Sequence, residues 1–296
     1  MGKQFVKDSR VKPMITVAMP VYNAGKHLRL AVLSIVKQTF TNWEMLIIDD
    51  GSTDNAFELI SDIHDERIVI LKDGSNKGLA ARLNEAMDLA RGEYFARMDQ
   101  DDVSYPERFE RQLQALQNDT SLDLVAIRPV TINDDNVLTG LLACADANDK
   151  ICAKPWRGIG LPHPTWMGKT TWFLNNRYAI PAPYFCEDQE LLLRTYESSR
   201  FVIITEPLFA YRIRGSINWN KLIKTRLAVL KVQLRHFIDR GQLYFSIKAL
   251  LSFAVRVILD TLKGFFLINY PVVKSCDKAT ENKWLYVLNY IRSESR

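Results

Sequence analysis

Apolar positions along the first half of the chain switch between two periods. Met14–Pro20 (MITVAMP) is an apolar run of strand length, after which Leu28, Val32, Ile35 and Val36 recur at helical spacing. Met45–Ile48 forms a second run that stops at Asp49-Asp50-Gly51, and Ser52 or Thr53 is placed to cap a helix over Asp54–Ile63. RIVILKD reads as a third strand, and Asn76 as the cap of a helix carrying Leu79, Leu83, Met87 and Ala90 on one face. EYFARMD is a fourth strand; a helix with Phe109, Leu113 and Leu116 follows Pro106, and Leu122–Ile127 is a fifth strand. Strands alternating with helices across short connections predict an α/β fold, with a mostly parallel central sheet flanked by helices.

In such sheets ligands bind beyond the carboxyl ends of the strands. The polar clusters PVYNAG, DDGSTD and MDQDD all fall there, so they are expected to share one crevice. The last of them holds Asp99, Asp101 and Asp102 within four positions. Carboxylates about 4 Å apart repel by about 4 kcal/mol at an effective dielectric of 20. A divalent cation removes that cost, and hard oxygen ligands suit Mg²⁺ or Mn²⁺. No His or Cys is interleaved, which argues against zinc. A solvated acidic turn before Pro106 is the competing reading. Carboxylates ending the second strand can accept hydrogen bonds from a base or ribose, and Tyr22 can either stack on a base or pack at its strand end. Asp54 reads as a helix-start carboxylate facing the positive end of the dipole. Neither a GxGxxG turn nor a GxxxxGK[ST] loop is present.

Composition narrows the class without changing this picture. The 296 residues, 47% apolar and 25% charged, are those of an ordinary globular protein. Cys144, Cys152, Cys186 and Cys276 have no metal or disulfide spacing, so reduced thiols in a cytosolic setting are expected. The N-terminal residues lack an apolar stretch of signal-peptide length. Charge is uneven: between Lys221 and Lys274, ten Lys and Arg stand against Asp239 and Asp260, a net of +8, and with +5 overall the remainder carries −3. A basic C-terminal segment on a mildly acidic body points to an anionic surface as its partner.

The ordered set ITVAMPVYNAG, LIIDDGSTD, NKGLAARLNEAMDLARGEYFARMDQDD and, later, YFCEDQELLLR resembles the family 2 glycosyltransferases from about Met14 to Ser216. The resemblance implies a GT-A type fold over residues 14–218, with residues 219–296 as a helical, amphipathic extension. It implies an inverting transfer from a nucleotide-diphospho-sugar, UDP-linked for preference. Pro20, Val21 and Tyr22 would cradle the nucleotide, Asp49 would meet the base with Asp50 close by, and Lys77 would lie near the base or phosphates. Asp99 would share ribose and metal contacts. Asp101 would be the direct ligand of Mn²⁺ or Mg²⁺, with Asp102 as a second register that the sequence leaves open. Asp188 would be the general base and Glu187 its neighbour that orients or touches the acceptor.

Further expectations on the acceptor side follow from the same resemblance. His163, in LPHPT, is an acceptor or phosphate contact or else a structural histidine. Trp166 and Trp172 form a sugar-stacking wall or else part of the core. Arg212 and Arg214 approach the diphosphate, and if the segment is extended only one of them faces the site; the family often has His near the second position.

LYFSIKALLSFAVRVILDTLKGFFLINYPVV looks like a membrane span, but Lys248, Arg256, Asp260 and Lys263 interrupt it well short of about 18 apolar residues. Those charges step along one helical stripe, which predicts an interfacial helix on anionic lipid. Packing on the catalytic domain or on a second copy is the other reading. The sequence as a whole predicts a hexosyl-transferring enzyme, cytoplasmic and peripheral on the inner face of the cell membrane. It would act on a lipid-linked or cell-surface glycan, as a homo-oligomer or alone, with no nucleic-acid partner. The rivals are a sugar-phosphate nucleotidylyltransferase, whose Gly-rich basic loop PVYNAGKH does not match, and a non-catalytic membrane-bound assembly protein.

Overall fold

The structure is a computed structural model that describes residues 12–213, 219–265 and 273–293, with backbone alone for 263–265 and 273. The first half alternates as its pattern demands. β1 (Ile15–Val21), α1 (Leu28–Val36), β2 (Trp43–Asp49), β3 (Ile68–Lys72), α2 (Leu79–Leu89) and β4 (Tyr94–Arg97) follow one another. Next come β5 (Val103–Ser104), α3 (Arg108–Asn118), β6 (Leu124–Ile127), the hairpin β7 (Val130–Ile132) and β8 (Leu138–Leu142), and α4 (Asn148–Cys152). The second half holds β9 (Met167–Lys169), α5 (Thr170–Asn175), α6 (Glu187–Thr195), β10 (Phe201–Ile204) and β11 (Phe209–Arg212). α7 (Trp219–Asp239), α8 (Leu243–Phe265), β12 (Val273–Lys274) and α9 (Lys278–Arg292) complete the order.

The main sheet has seven strands in the order β10-β6-β9-β4-β1-β2-β3. Only β9 runs antiparallel to its neighbours. A smaller sheet, β12-β8-β7-β11-β5, stands beside it. Period-two alternation splits the core between the two faces of the main sheet. Val17, Met19, Met45 and Ile47 pack with α1, α3 and α9 on one face. Ala18, Leu46, Ile48 and Phe95 pack with α2, α5, α6 and α7 on the other.

Two helix starts differ from expectation. Over residues 54–63 the chain makes only a 3-10 turn, Glu58–Ile60. The groups expected to begin a helix there fasten loops instead: Asp54 Oδ2 accepts from the Gly25 amide at 2.7 Å, and the Ser52 amide donates to Asp49 Oδ1 at 2.8 Å. α2 has no side-chain cap from Asn76; Gly78, at φ +85°, occupies the cap position.

The C-terminal segment does not stand apart from the catalytic body. α7 lies against α6, α8 lies against a 3-10 turn at Pro155–Arg157, β12 pairs with β8, and α9 contributes Trp284, Val287 and Ile291 to the core. Of the charged stripe of α8, expected to meet lipid headgroups, Lys248, Arg256 and Asp260 face the protein, and the Lys263 side chain lies outside the described residues. Asp260 is buried in an ion pair with Arg226 at 3.0 Å, Arg256 donates to the Arg157 carbonyl at 2.6 Å, and the Lys248 ammonium sits 4.2 Å from the Trp156 ring centre. No helix among the described residues is long and apolar enough to cross a membrane.

Candidate active site

The ends of β1, β2 and β4 meet as the strand order requires, and each polar cluster is stitched to the next. Pro20 and Val21 are buried, so of those three nucleotide-cradle residues only Tyr22, 48% exposed, offers a side chain to a ligand. Gln100 fixes its backbone on both sides: the Tyr22 amide donates to Gln100 Oε1 at 2.6 Å, and Gln100 Nε2 donates to the Tyr22 carbonyl at 3.0 Å. The Asn23 and Gly25 amides bind Ser52 Oγ and Asp54. Gly51 is required in DDGS twice over. Its φ is +78°, and a Cβ there would lie 3.1 Å from the Ser75 backbone.

Asp49 and Asp50 take different positions. Asp49 binds the Ser52 amide and lies 3.9 Å from the Lys72 ammonium at the β2 end. Asp50 is held by protein: it accepts from the Lys77 amide at 2.7 Å, the Gly78 amide at 3.0 Å and Arg82 Nε at 2.9 Å. Arg82 is itself buried and also binds Asp73 and Glu85. The Lys77 ammonium sits 2.5 Å from Asp73. Hydrogen bonds from Arg82 and Lys77 hold the Asp73 carboxyl well below its ordinary range. Asp50 therefore shapes the Lys77-Gly78 turn, with only 5% of its surface exposed.

Asp99, Asp101 and Asp102 lie on the turn after β4. Arg97 Nη2 donates to Asp99 at 2.6 Å. Asp101 is half-buried at the crevice. Asp102 is 1% exposed; its Oδ1 accepts the Arg212 amide at 2.7 Å, while its Oδ2, also buried, has no hydrogen-bond partner among the described residues. Burial, opposed by Arg97, raises the Asp99 pKa. Burial and the neighbouring Asp99 and Asp101 charges push Asp102 well above the usual carboxylate range.

An unpartnered buried carboxylate oxygen beside two further carboxylates is the donor chemistry of Mg²⁺ or Mn²⁺. Among the described residues no three such groups converge into a closed cage. The set therefore fits a cation that takes the rest of its shell from phosphate and water.

The acidic pair expected to supply the base, Glu187 and Asp188, lies in the first turn of α6. The helix N-terminus favours ionised carboxylates, yet burial wins and raises the pKa of both, with Asp188 further raising Glu187. Gln189 donates to Asp188 at 3.2 Å and grips Ile159 from both sides, accepting its amide at 2.9 Å and donating to its carbonyl at 3.0 Å. His163 lies beneath, its Nε2 2.6 Å from the Tyr178 hydroxyl and its Nδ1 3.8 Å from Glu187. Burial, with the Arg97 charge, pushes its pKa well below the ordinary value, so the imidazole is neutral and its contact with Glu187 is not an ion pair.

Two residues that the sequence did not single out join these clusters. The Arg97 guanidinium is fully buried, and its Nε and Nη1 have no hydrogen-bond partner among the described residues. Burial alone would lower its pKa, but the charges of Asp99, Glu187 and Asp188 among others outweigh burial and raise it. The Tyr211 hydroxyl is raised by burial and then by Asp102, Asp99, Asp101 and Asp188. Each therefore feels both the β4 turn and α6. A cavity of about 320 Å³ lies here, lined by His163, Asp188, Gln189 and Tyr211 with apolar residues. A larger hollow of about 420 Å³, near Lys26, Asp134 and Arg292, holds none of the motif carboxylates.

Several expected acceptor contacts are corrected. Trp166 is fully buried, its indole N–H donating to the Leu161 carbonyl, and Trp172 is buried with its N–H on Ser199. Neither offers a face to a sugar. Arg212 turns its guanidinium to the Asp101 carbonyl at 2.7 Å, Asn136 Oδ1 at 2.7 Å and the Asn133 carbonyl, bracing the β4 turn against the β7–β8 hairpin. Arg214 lies outside the described residues.

The signals for Arg97, Gln100 and Gln189 were present in the sequence. One is a lone cation inside an apolar strand; the others are amides set among motif acids.

Comparison with known proteins agrees with this geometry. Residues 16–178 match the profile described as Glycosyl transferase family 2. The putative glycosyltransferase EpsE of Bacillus subtilis is 29% identical over 206 residues, covering 68% of this chain and 73% of that protein. The UDP-Glc:alpha-D-GlcNAc-diphosphoundecaprenol beta-1,3-glucosyltransferase WfgD of Escherichia coli is 35% identical over 103 residues, 35% of this chain and 41% of that one. Among solved structures, S. aureus TarS 1-349 in complex with UDP-GlcNAc superposes with a TM-score of 0.63 at 16% identity, over 94% of this chain and 80% of that one. That likeness shows the shared fold. With the profile spanning more than half its length, the chain belongs to the family 2 glycosyltransferases.

Proposed function

We propose that this glycosyltransferase moves a hexosyl unit, with inversion, from a UDP-linked sugar to a hydroxyl of a lipid-linked or cell-surface glycan. The observation that carries the reading is geometric: Asp188 and Tyr211 line one cavity, and Arg212, next to Tyr211, binds Asp102 Oδ1 and the Asp101 carbonyl, which brings the first turn of α6 to the Asp99–Asp102 turn. Diphosphate-side and acceptor-side chemistry therefore share one crevice. WfgD, named for glucosyl transfer to a diphosphoundecaprenol-linked GlcNAc, supports a lipid-linked acceptor. The UDP-Glc donor of WfgD and the UDP-GlcNAc bound to TarS support a UDP-sugar donor.

In this reading the acceptor oxygen bonds to the anomeric carbon while the bond from that carbon to the diphosphate breaks, and its electron pair leaves on the diphosphate. Asp188 takes the acceptor proton; its raised pKa makes it a stronger base than an ordinary carboxylate. Glu187 and neutral His163 shape the acceptor side. Asp101, with Asp99 and Asp102, would hold Mn²⁺ or Mg²⁺, which supplies positive charge for the departing diphosphate. Tyr22 and Asp49 face the base and ribose. The enzyme would work peripherally on the cytoplasmic face of a membrane.

The test is incubation with a panel of UDP-sugars, an undecaprenyl-linked acceptor and Mn²⁺ or Mg²⁺. UDP release that EDTA abolishes is expected. Pyrophosphate release, or no release with any donor and no donor-induced rise in melting temperature, would overturn it.

A further inference from the structure

We propose that the α7–α8 pair seats the protein on a lipid bilayer, holding mainly by an outward apolar ridge on α8, with a basic ridge on α7 lying along the headgroups. The acceptor reading gives this surface a purpose, and flotation tests it without any turnover.

α8 is inside out for a helix on a water-soluble body. Leu243, Ile247, Leu251, Val255, Ile258 and Leu262 recur every three or four residues and all face solvent, Leu251 at 62% exposure and Ile258 at 58%. The polar side is turned inward. Asp260 is buried against Arg226, Arg256 binds the Arg157 carbonyl, and Lys248 rests on Trp156. These contacts fix the roll of the helix, so its apolar side cannot rotate under cover without breaking a buried ion pair. From Leu243 to Leu262 the ridge is nineteen steps of 1.5 Å, about 29 Å. Exposed apolar patches beyond a few hundred Å² mark interaction or membrane sites.

The occupant is argued from shape and charge. The ridge is one helix wide and too polar on its inner side to cross a membrane. That is the form of a helix lying in the interface plane. α7 runs back beside it after a turn at Gly241, with Lys224, Lys231 and Arg235 exposed along one face. The exposed faces of the two helices, among described side chains, hold a single acid, Asp239. An anionic bilayer offers acyl chains to the α8 ridge and phosphates to the α7 cations. A second copy packed on the same face would bring two basic ridges together with one acid on each to offset them.

The experiment floats the full chain with vesicles of phosphatidylcholine alone and of phosphatidylcholine mixed with phosphatidylglycerol. The protein is expected to rise with both, and further with the anionic mixture. In about 1 M salt, where screening acts within ~3 Å, the anionic advantage should vanish while binding to neutral vesicles persists. Leu251→Glu should lower partitioning about tenfold on both compositions, since it removes a Leu side chain from burial, with an unchanged melting temperature because the side chain is exposed. Ile258→Glu, a turn and more away, should do the same. Lys231→Glu should weaken only the binding to anionic vesicles. Failure to float with either composition would overturn the proposal, as would flotation that neither Glu variant reduces. A dimer that Leu251→Glu converts to monomer, with no vesicle binding, would give the face to a second copy instead.

Discussion

The crevice has two rims on either side of the β4 end, and Asp50 and Asp188 represent them. Asp50, at the β2 end, is filled by two backbone amides and the buried Arg82 guanidinium. Asp188, at the start of α6, accepts from the Gln189 side chain and from backbone amides of the helix start, yet burial holds its pKa high. The same residue type, in motifs that look alike in sequence, thus serves two ends. Asp50, paired with a buried guanidinium, fixes a loop, while Asp188, whose hydrogen bonds do not offset its burial, keeps proton affinity. In the proposed reading the β2 end is the donor rim and the start of α6 is the base rim.

The sharpest way to break this contrast is Asp188→Asn. Turnover should fall ~10²–10⁴-fold while the donor still raises the melting temperature. If Glu187→Gln loses turnover and Asp188→Asn does not, the two acids trade roles. The pH dependence carries the same information. The raised carboxyl pKa values mean that the folded chain binds these protons more tightly than the unfolded chain. Their contribution to stability is full below the unfolded pKa and is lost as pH rises through the folded one. Asp188→Asn should therefore melt at or above the wild type near neutrality, with the gap closing toward pH ~4. The acid limb of kcat/KM should lie above the ordinary carboxylate range of about pH 4.

At the other rim, Asp50→Ala should cost about 3 kcal/mol of stability in a denaturant melt. This is the low end for a broken buried pair, because Arg82 keeps Asp73 and Glu85. An unchanged midpoint would mean that the donor rim is held elsewhere. The smallest effects should separate the two glutamines. Each makes a two-bond grip on a backbone, worth about 1–2 kcal/mol. Gln100→Ala should raise the donor KM about tenfold with kcat nearly kept, and Gln189→Ala should lower kcat by a similar factor with the donor KM nearly kept. Equal effects on both constants in steady-state kinetics would erase the division into rims.

Much of the site was legible because motif acids at strand ends need no long-range knowledge to be noticed. Asp99, Asp101, Asp102, Glu187 and Asp188 stand at the ends and starts that periodicity marks. The readings that could go two ways share a cause. Trp166, Trp172 and Arg212 are amphipathic side chains that serve a core or a ligand equally well, and only their neighbours decide. Trp166 meets Leu161 and Arg212 meets Asn136, partners five and 76 residues away. The missing helix over residues 54–63 has the same origin, since Asp54 is claimed by Gly25 from another loop.

The sequence by itself determined the alternation of strands and helices, the placing of acids at strand ends and the two-sidedness of α8, because these follow from local period and residue type. Only the tertiary structure decided which way each two-sided element turns. α3 buries Phe109 and Leu116 and shows water its polar side, while α8, equally two-sided, buries Asp260 and shows its leucines. A hydrophobic pattern fixes the angle between two faces of a helix. Which of them meets the protein depends on whether a partner such as Arg226, 34 residues away in sequence, satisfies the polar one.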